Sequence, residues 1–132
     1  CGSDLYNKRL GGFGMKESEM RSRAKQFAIV VIEVCKEIDA YAGKGVLINQ
    51  IVKSATSIGA NIREAQYAHG KADFIAKLQI ALKEANETGY WLELLFKTNY
   101  ISEEEYKSLD SACTSIRVML ISSVNTAKEN AK

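Results

Sequence analysis

Apolar and small residues recur at alternating steps of three and four positions along four segments of the chain. This spacing places side chains on one face of an α-helix, so each segment predicts one amphipathic helix. The first two stripes are Met20, Ala24, Phe27, Val31, Val34, Ile38, Tyr41 and then Ile48, Ile51, Ala55, Ile58, Ile62, Ala65, His69. The third and fourth are Phe74, Leu78, Ala81, Ala85, Thr88, Leu92, Leu95 and then Tyr106, Leu109, Cys113, Ile116, Leu120, Ser123, Ala127.

Glycine and capping residues separate these stripes. The Gly-Lys-Gly run at 43–45 is predicted to end the first helix and Gly70 the second, because glycine adopts the left-handed conformation common at helix C-termini. Ser102 and Glu105 have the spacing of a capping box at the start of the last helix. No proline interrupts the chain. Short connections make successive helices antiparallel, so the sequence predicts an all-α, up-down-up-down antiparallel four-helix bundle.

The chain has 132 residues, a length that suits a single domain. Met15 could serve as a natural start, and we interpret residues 1–14 as an appended leader or upstream extension with a glycine-rich joint at 11–14. We therefore assign residues 1–16 to an N-terminal extension and residues 17–132 to the bundle domain. Cys1, followed by Gly-Ser-Asp, also has the form of a lipid-modified bacterial N-terminus. Lipidation of Cys1 and the origin of residues 1–14 both stay open.

Residues that could carry catalysis are sparse. The only histidine is His69, expected at the end of the second helix, and Gln66 stands where a di-metal carboxylate bundle would need a glutamate. Cys35 and Cys113 are single cysteines on separate predicted helices, so no zinc cluster forms from them. We therefore expect a protein that is not an enzyme and that has no metal or other cofactor.

The same cysteines bear on the environment of the protein. Cys35 and Cys113 lie in apolar segments, where a thiol serves as a small hydrophobic side chain, and an odd count of three suits a reducing cytoplasm. The longest uncharged apolar candidate, residues 27–32, stops at Glu33 and is far shorter than the ~18 residues of a membrane span. We expect a cytoplasmic protein that does not bind membranes.

Charge is unevenly distributed along the chain, although the net charge is only +2. Residues 44–83 contain six Lys and Arg against two acids, and residues 84–110 contain two against seven. Such a chain has a basic and an acidic part that could hold an anionic polymer or stack copies of itself, or that could simply be solvated. Further apolar residues lie off the stripes and favour self-association: Ile29, Val30, Ile32, Ile80, Trp91, Leu94, Phe96, Val118, Met119, Ile121.

Polar residues follow one line beside the apolar stripe of the second helix, namely Ser54, Ser57, Asn61 and Glu64. A similar line on the third helix contains Glu84, Glu87 and Trp91. Two interpretations stay open. The line is either a half-solvated boundary, or a hydrogen-bond network between helices or subunits in which Asn61 and Arg63 meet Glu84 or Glu87. The candidate network comprises Ser57, Asn61, Glu64, Glu84 and Glu87.

These residues also carry a family resemblance. Residues 57–65 (Ser-Ile-Gly-Ala-Asn-Ile-Arg-Glu-Ala), 74–81 (Phe-Ile-Ala-Lys-Leu-Gln-Ile-Ala) and 83–92 (Lys-Glu-Ala-Asn-Glu-Thr-Gly-Tyr-Trp-Leu) resemble the bacterial family of 23S rRNA-intervening-sequence proteins. The resemblance covers most of residues 20–128 and is densest in the second and third predicted helices. It implies a small helical bundle.

The resemblance also implies an assembly and an activity. A related accessory protein of diversity-generating retroelements forms a ring of five bundles and binds nucleic acid through a basic surface. The resemblance therefore implies a homopentamer that binds RNA or DNA. The candidate contact residues are Lys53, Arg63, Lys71, Lys77 and Lys83, with Arg21, Arg23 and Lys25 as further candidates. The alternative is a protein–protein scaffold that presents its surface to a partner such as a polymerase and binds no nucleic acid.

Overall fold

The computed structural model describes the backbone of residues 15–42 and 45–130, and the side chains of residues 18–38 and 45–130. Four helices account for nearly all of this part of the chain, which contains no strand. They are α1 (Met15–Ala42), α2 (Val46–Gln66), α3 (Lys71–Lys97) and α4 (Glu103–Asn130). The predicted all-α fold is confirmed. The leader at 1–14 lies outside the described residues, and the domain boundary at residue 17 stays a prediction.

The helices pack in a closed order in which α2 and α4 each contact both α1 and α3. Their directions follow from contacts between side chains. Asn86 on α3 hydrogen-bonds to Arg117 on α4, whereas Phe96, further along α3, stacks on Tyr106 near the start of α4. Contacts that advance along one helix and retreat along the next are those of antiparallel neighbours. The structure is therefore a four-helix bundle of the predicted class.

The predicted stripes form most of the core. The one departure is at a single position of α1, where Cys35 is buried and the predicted Val34 is only half-buried. The buried line steps four residues from Val31 to Cys35 and three to Ile38, which is buried as predicted, so the phase of the helix is unchanged. Phe74 and Tyr106 pack on the core from its ends while staying partly exposed. The side chain of Tyr41 lies outside the described residues.

The helix boundaries agree in part with the predicted signals. The capping box is confirmed: the Glu105 amide donates to Ser102 Oγ and the Ser102 amide to Glu105 Oε1, both at 3.0 Å. Gly70 does not end α2, which stops at Gln66. It has a φ of 126° and lies directly before α3. Only glycine adopts this conformation without strain, so Gly70 fixes the entry into α3 instead. Residues 43 and 44 lie outside the described residues.

His69 does not reach the core. It is exposed in the connection between α2 and α3, and its backbone amide donates to Asp73 Oδ2 at 3.4 Å. The apolar stripe of α2 consequently ends at Ala65. None of the helices in the described part of the chain is long and apolar enough to cross a membrane.

Candidate functional site

The five basic residues predicted to contact nucleic acid occupy different surfaces of the bundle. Lys53 on α2 and Lys83 on α3 both lie within electrostatic range of Glu84. Lys71 is exposed at the first position of α3, and Lys77 is half-buried on the same helix. Arg63 lies on the opposite flank of α2, towards α1. The structure therefore separates Arg63 from the lysines that face the α2–α3 side.

The surroundings of Lys53 and Lys83 reduce their attraction for an anion. Burial raises the pKa of Glu84, the nearby charge of Glu87 raises it further, and the two lysines lower it. Lysines that share their field with two carboxylates present less net positive charge to a phosphate. The basic character of residues 44–83 seen in the sequence is thus partly cancelled across α2 and α3.

Arg63 belongs to a groove between α1 and α2 that has a volume of about 900 Å³. We call this feature the α1–α2 groove. Three basic residues line it, together with one acid, Glu64. Its other walls are formed by Ser18, Ser22, Ala24, Ala28, Ile29, Ile32, Thr56, Gly59, Ala60, Gln66 and Tyr67. The basic members are Arg21, Lys25 and Arg63, so the groove has a net positive charge.

Small residues explain why this groove exists. Gly59 on α2 lies against Ala24 on α1, so close that a Cβ atom built on the glycine would be 3.8 Å from the Ala24 Cβ. The two helices approach each other at this point, and the short side chains of Ala28 and Ala60 beside it do not fill the space above the contact. The result is an open recess rather than a packed ridge.

Two cations of the groove are not ion-paired to any described side chain. Lys25 and Arg63 form no salt bridge and no hydrogen bond through their side chains to any residue that the structure describes. Arg21 donates from Nη1 to Gln66 Oε1 across the groove. Arg23 lies on another side of α1, where it pairs with Glu19 at 2.8 Å and donates to Ser115 on α4 at 2.9 Å. Of the basic residues near the start of α1, Arg21 and Lys25 therefore belong to the groove and Arg23 does not.

The predicted polar network takes a different form within one chain. Asn61 Nδ2 donates to the Ser57 carbonyl at 2.8 Å, and Ser57 Oγ donates to the Lys53 carbonyl at 2.7 Å. These bonds stay inside α2, and Glu64, Glu84 and Glu87 make no side-chain hydrogen bond to a described residue. The inter-subunit form of the network stays a prediction.

The polar link that does join α2 to α3 is buried. The hydroxyls of Ser54 and Thr88 are hydrogen-bonded at 2.8 Å, and Thr88 Oγ1 is also 2.8 Å from the Glu84 carbonyl oxygen. The sequence placed Ser54 on the polar line and Thr88 on the core stripe, and nothing in their spacing paired them. Nearby, Trp91 Nε1 is buried without an acceptor among the described residues.

A second surface is formed by α4. Residues 118–127 contain no charged side chain, and Val118 and Ile121 are 60% and 47% exposed. They border a shallow depression of about 410 Å³ whose other residues are Ser122, Asn125, Thr126 and Glu129. An exposed aliphatic patch whose depression contains a single charged residue, Glu129, resembles the core of a protein–protein interface.

The described residues hold no group of three or more His, Cys, Asp and Glu side chains that could bind a metal ion. Cys113 is buried, and its Sγ contacts the Ala85 carbonyl at 3.3 Å. Burial raises the pKa of the Cys113 thiol to about 11, so it stays protonated and is a poor nucleophile. The expectations of no enzyme activity and no cofactor stay predictions.

Comparison with known proteins places the fold in a family. The family model of the 23S rRNA-intervening sequence protein matches residues 16–122, which include both helices that carry the sequence motifs. The chain belongs to this family. Among curated proteins, none matches the chain. No enzymatic family is indicated.

A solved family structure supports the assignment. The chain is similar to a protein of unknown function from the S23 ribosomal protein family of Bacteroides thetaiotaomicron, known from its crystal structure. The two are 47% identical, the similarity covers 84% of this chain and 99% of the other, and the TM-score is 0.82. The resemblance seen in the motifs at 57–65 and 83–92 is thereby confirmed, and the family has no established function.

Proposed function

We propose that the protein is a non-enzymatic, homo-oligomeric accessory protein that binds RNA or DNA through the α1–α2 groove. The observation that carries this proposal is that Lys25 and Arg63, on opposite walls of one recess, form no ion pair with a described residue. A cation without an ion-pair partner in the protein can contact a phosphate without breaking that pair, and each phosphate neutralised releases counterions from the nucleic acid.

Charge distribution supports this groove over the surface predicted first. Lys53 and Lys83 share the field of Glu84 and Glu87, whereas the groove contains Glu64 as its single acid. Arg63 is common to both surfaces, and Arg21 and Lys25 of the groove are also candidates from the sequence. Lys71, at the first position of α3, is exposed but does not line the groove. No base-reading motif accompanies these residues, so we expect weak binding that tolerates any sequence.

The residues that favour self-association are not those that carry the charge of the α1–α2 groove. Several aliphatic side chains are exposed on α1, α3 and α4, among them Ile29, Ile80 and Val118. A second subunit would cover the exposed aliphatic side chains. A ring, five-membered as the family resemblance implies, would repeat the α1–α2 groove and multiply its weak contacts with one polymer.

A fluorescence-anisotropy titration tests the proposal. Labelled RNA and DNA of mixed sequence are titrated at about 50 mM salt with the parent and with the Lys25→Glu, Arg63→Glu double variant. We expect the parent to bind and the variant to lose most of its affinity. The salt dependence of log K should also become shallower by about 0.7 for each phosphate contact removed from a single strand.

The matched control carries the same charge change elsewhere. Lys107 and Lys128 are exposed on α4, outside the groove, and the Lys107→Glu, Lys128→Glu variant should retain most of the affinity. Equal losses in the two double variants would show that only net charge matters and would reject the groove as the binding site. Absence of binding by the parent would reject nucleic-acid binding altogether.

The second candidate function is a protein–protein scaffold, and the exposed aliphatic patch of α4 favours it. Val118 and Ile121 would contact a protein partner such as a polymerase. Calorimetric titration of a candidate partner against the parent and the Val118→Asp, Ile121→Asp variant tests this function. Loss of the binding heat in that variant, with full heat in the groove variant, would support the scaffold. Equal heats in all three proteins would remove the α4 face from consideration.

A further inference from the structure

Tyr67 stands at one end of the α1–α2 groove and has no role in the core. It is the C-cap residue of α2, and its backbone amide donates to the Glu64 carbonyl at 3.1 Å. Its side chain is 57% exposed, and its ring contacts no other described aromatic ring. A large aromatic surface is thus exposed to solvent while its backbone is held by the end of a helix.

The position of Tyr67 relative to Arg63 adds a second feature. The two residues are one helical turn apart at the end of α2, and both line the groove. Residues at this spacing lie side by side on a helix surface. A ligand that has a flat apolar group beside a negative charge would contact both side chains at once, and a nucleotide has these two parts.

The shape of the groove distinguishes between nucleic-acid forms. The axes of packed helices lie about 8–10 Å apart, so a recess between two of them admits an extended strand and not a duplex. Proteins that read a duplex insert a protruding helix or ribbon into its major groove, and a recess lacks such an element. Duplex bases are also stacked on each other and unavailable to an aromatic side chain.

We propose that the α1–α2 groove is a binding site for single-stranded nucleic acid, in which one base stacks on Tyr67 and the adjoining phosphates contact Arg63 and Lys25. This inference rests on the proposed function and narrows its substrate to unpaired RNA or DNA. Stacking on an aromatic ring tolerates any base, because every base has a π-face. The groove would therefore distinguish single strands from duplexes without distinguishing one base sequence from another.

One experiment tests both the preference for single strands and the contribution of the Tyr67 ring to binding. Labelled single-stranded RNA, single-stranded DNA and a duplex, each of about 16 nucleotides, are titrated with the parent and with Tyr67→Ala. We expect the parent to prefer the single strands. Tyr67→Ala should weaken single-strand binding about fivefold or more, the lower end of the range for loss of a base–aromatic stack, and should leave duplex binding unchanged.

Two further variants separate stacking from a structural effect. Tyr67→Phe keeps the ring and should bind single strands like the parent. Tyr100→Ala removes a comparably exposed tyrosine from the α3–α4 connection, away from the groove, and should have no effect. Circular-dichroism melts of all the proteins verify that the bundle is intact.

Each outcome has one consequence. Parent-like binding by Tyr67→Ala, or an equal loss with Tyr100→Ala, overturns the stacking site and leaves the proposed function standing. Preference of the parent for the duplex would likewise overturn the stacking site and leave the proposed function standing. A parent that binds no form of nucleic acid removes both proposals. If Lys25→Glu, Arg63→Glu changes the oligomer mass in light scattering, the groove is a contact between subunits and the single-strand site is overturned.

Discussion

The hydroxyls of Ser54 and Thr88 form a hydrogen bond of 2.8 Å in the core between α2 and α3. Both residues are almost fully buried, at 2% and 0% exposure. A buried pair of this kind is stabilising because each group satisfies the other, and it fixes the relative height of the two helices. Removal of one member leaves the other with a poorer set of partners.

Thr88→Val tests this link because it conserves shape and removes the hydroxyl. We expect a loss of about 1 kcal/mol in the free energy of unfolding, the usual net value of one hydrogen bond. Urea unfolding of the parent, Thr88→Val, Ser54→Ala and the double variant at one protein concentration gives the coupling energy. Single-variant losses that add in the double variant would show that the two hydroxyls do not interact.

Ile58→Asp should prevent folding. The Ile58 side chain is fully buried on the α2 stripe, and a carboxylate there would have no cationic partner. Far-ultraviolet circular dichroism of the variant should lack a cooperative melt. Gln50→Asp, an exposed position of the same helix, is the control and should melt like the parent. A parent-like melt of Ile58→Asp would mean that the phase of α2 is wrong.

The stability of the protein should fall as the pH rises from about 9 to about 11. Burial raises the pKa of the Cys113 thiol from 9.0 to about 11, so above pH 9 the unfolded chain loses a proton that the folded chain retains. Unfolding then becomes more favourable as the pH increases. Cys113→Val removes this contribution. Denaturant melts across the range should show a steeper fall for the parent than for Cys113→Val, and identical slopes would contradict the assignment.

Light scattering should give a mass that is a multiple of the 14.6 kDa chain, with five subunits expected. Exposed Val118 and Ile121 favour burial in an interface, so Val118→Asp, Ile121→Asp should lower the mass if α4 forms that contact. Ser111→Asp places one charge on an exposed position of the same helix and should not lower the mass. A parent mass near 15 kDa at micromolar concentration would contradict self-association.

The fold could be predicted because local signals and packing agree. Ile58, Leu92 and Leu120 lie on three different stripes, and each is fully buried at the position that its period gives. The capping box of Ser102 and Glu105 depends on four successive residues, which a sequence displays directly. At one position of α1 the core contains Cys35 and not Val34, because steps of three and of four residues are both compatible with 3.6 residues per turn.

The candidate site could not be predicted in the same way. Lys53 and Glu84 are far apart in the sequence, so their partial cancellation is visible only when α2 and α3 are packed together. Lys25 and Arg63 line one groove, which is formed beside the contact of Gly59 with Ala24. A count of charged residues along the chain identifies a basic segment. Which of those residues lack an ion-pair partner depends on how the helices pack.

The close approach of Gly59 to Ala24 links the stability of the bundle to the depth of the α1–α2 groove. A glycine inside a helix costs about 1 kcal/mol relative to alanine. At 3.8 Å, the added methyl of Gly59→Ala would make an ordinary van der Waals contact with Ala24, so packing within the chain does not demand glycine. Alanine would make the groove shallower and would increase the free energy of unfolding of the bundle. A stabilised laboratory variant of this protein would therefore gain heat resistance at the expense of the depth of its groove.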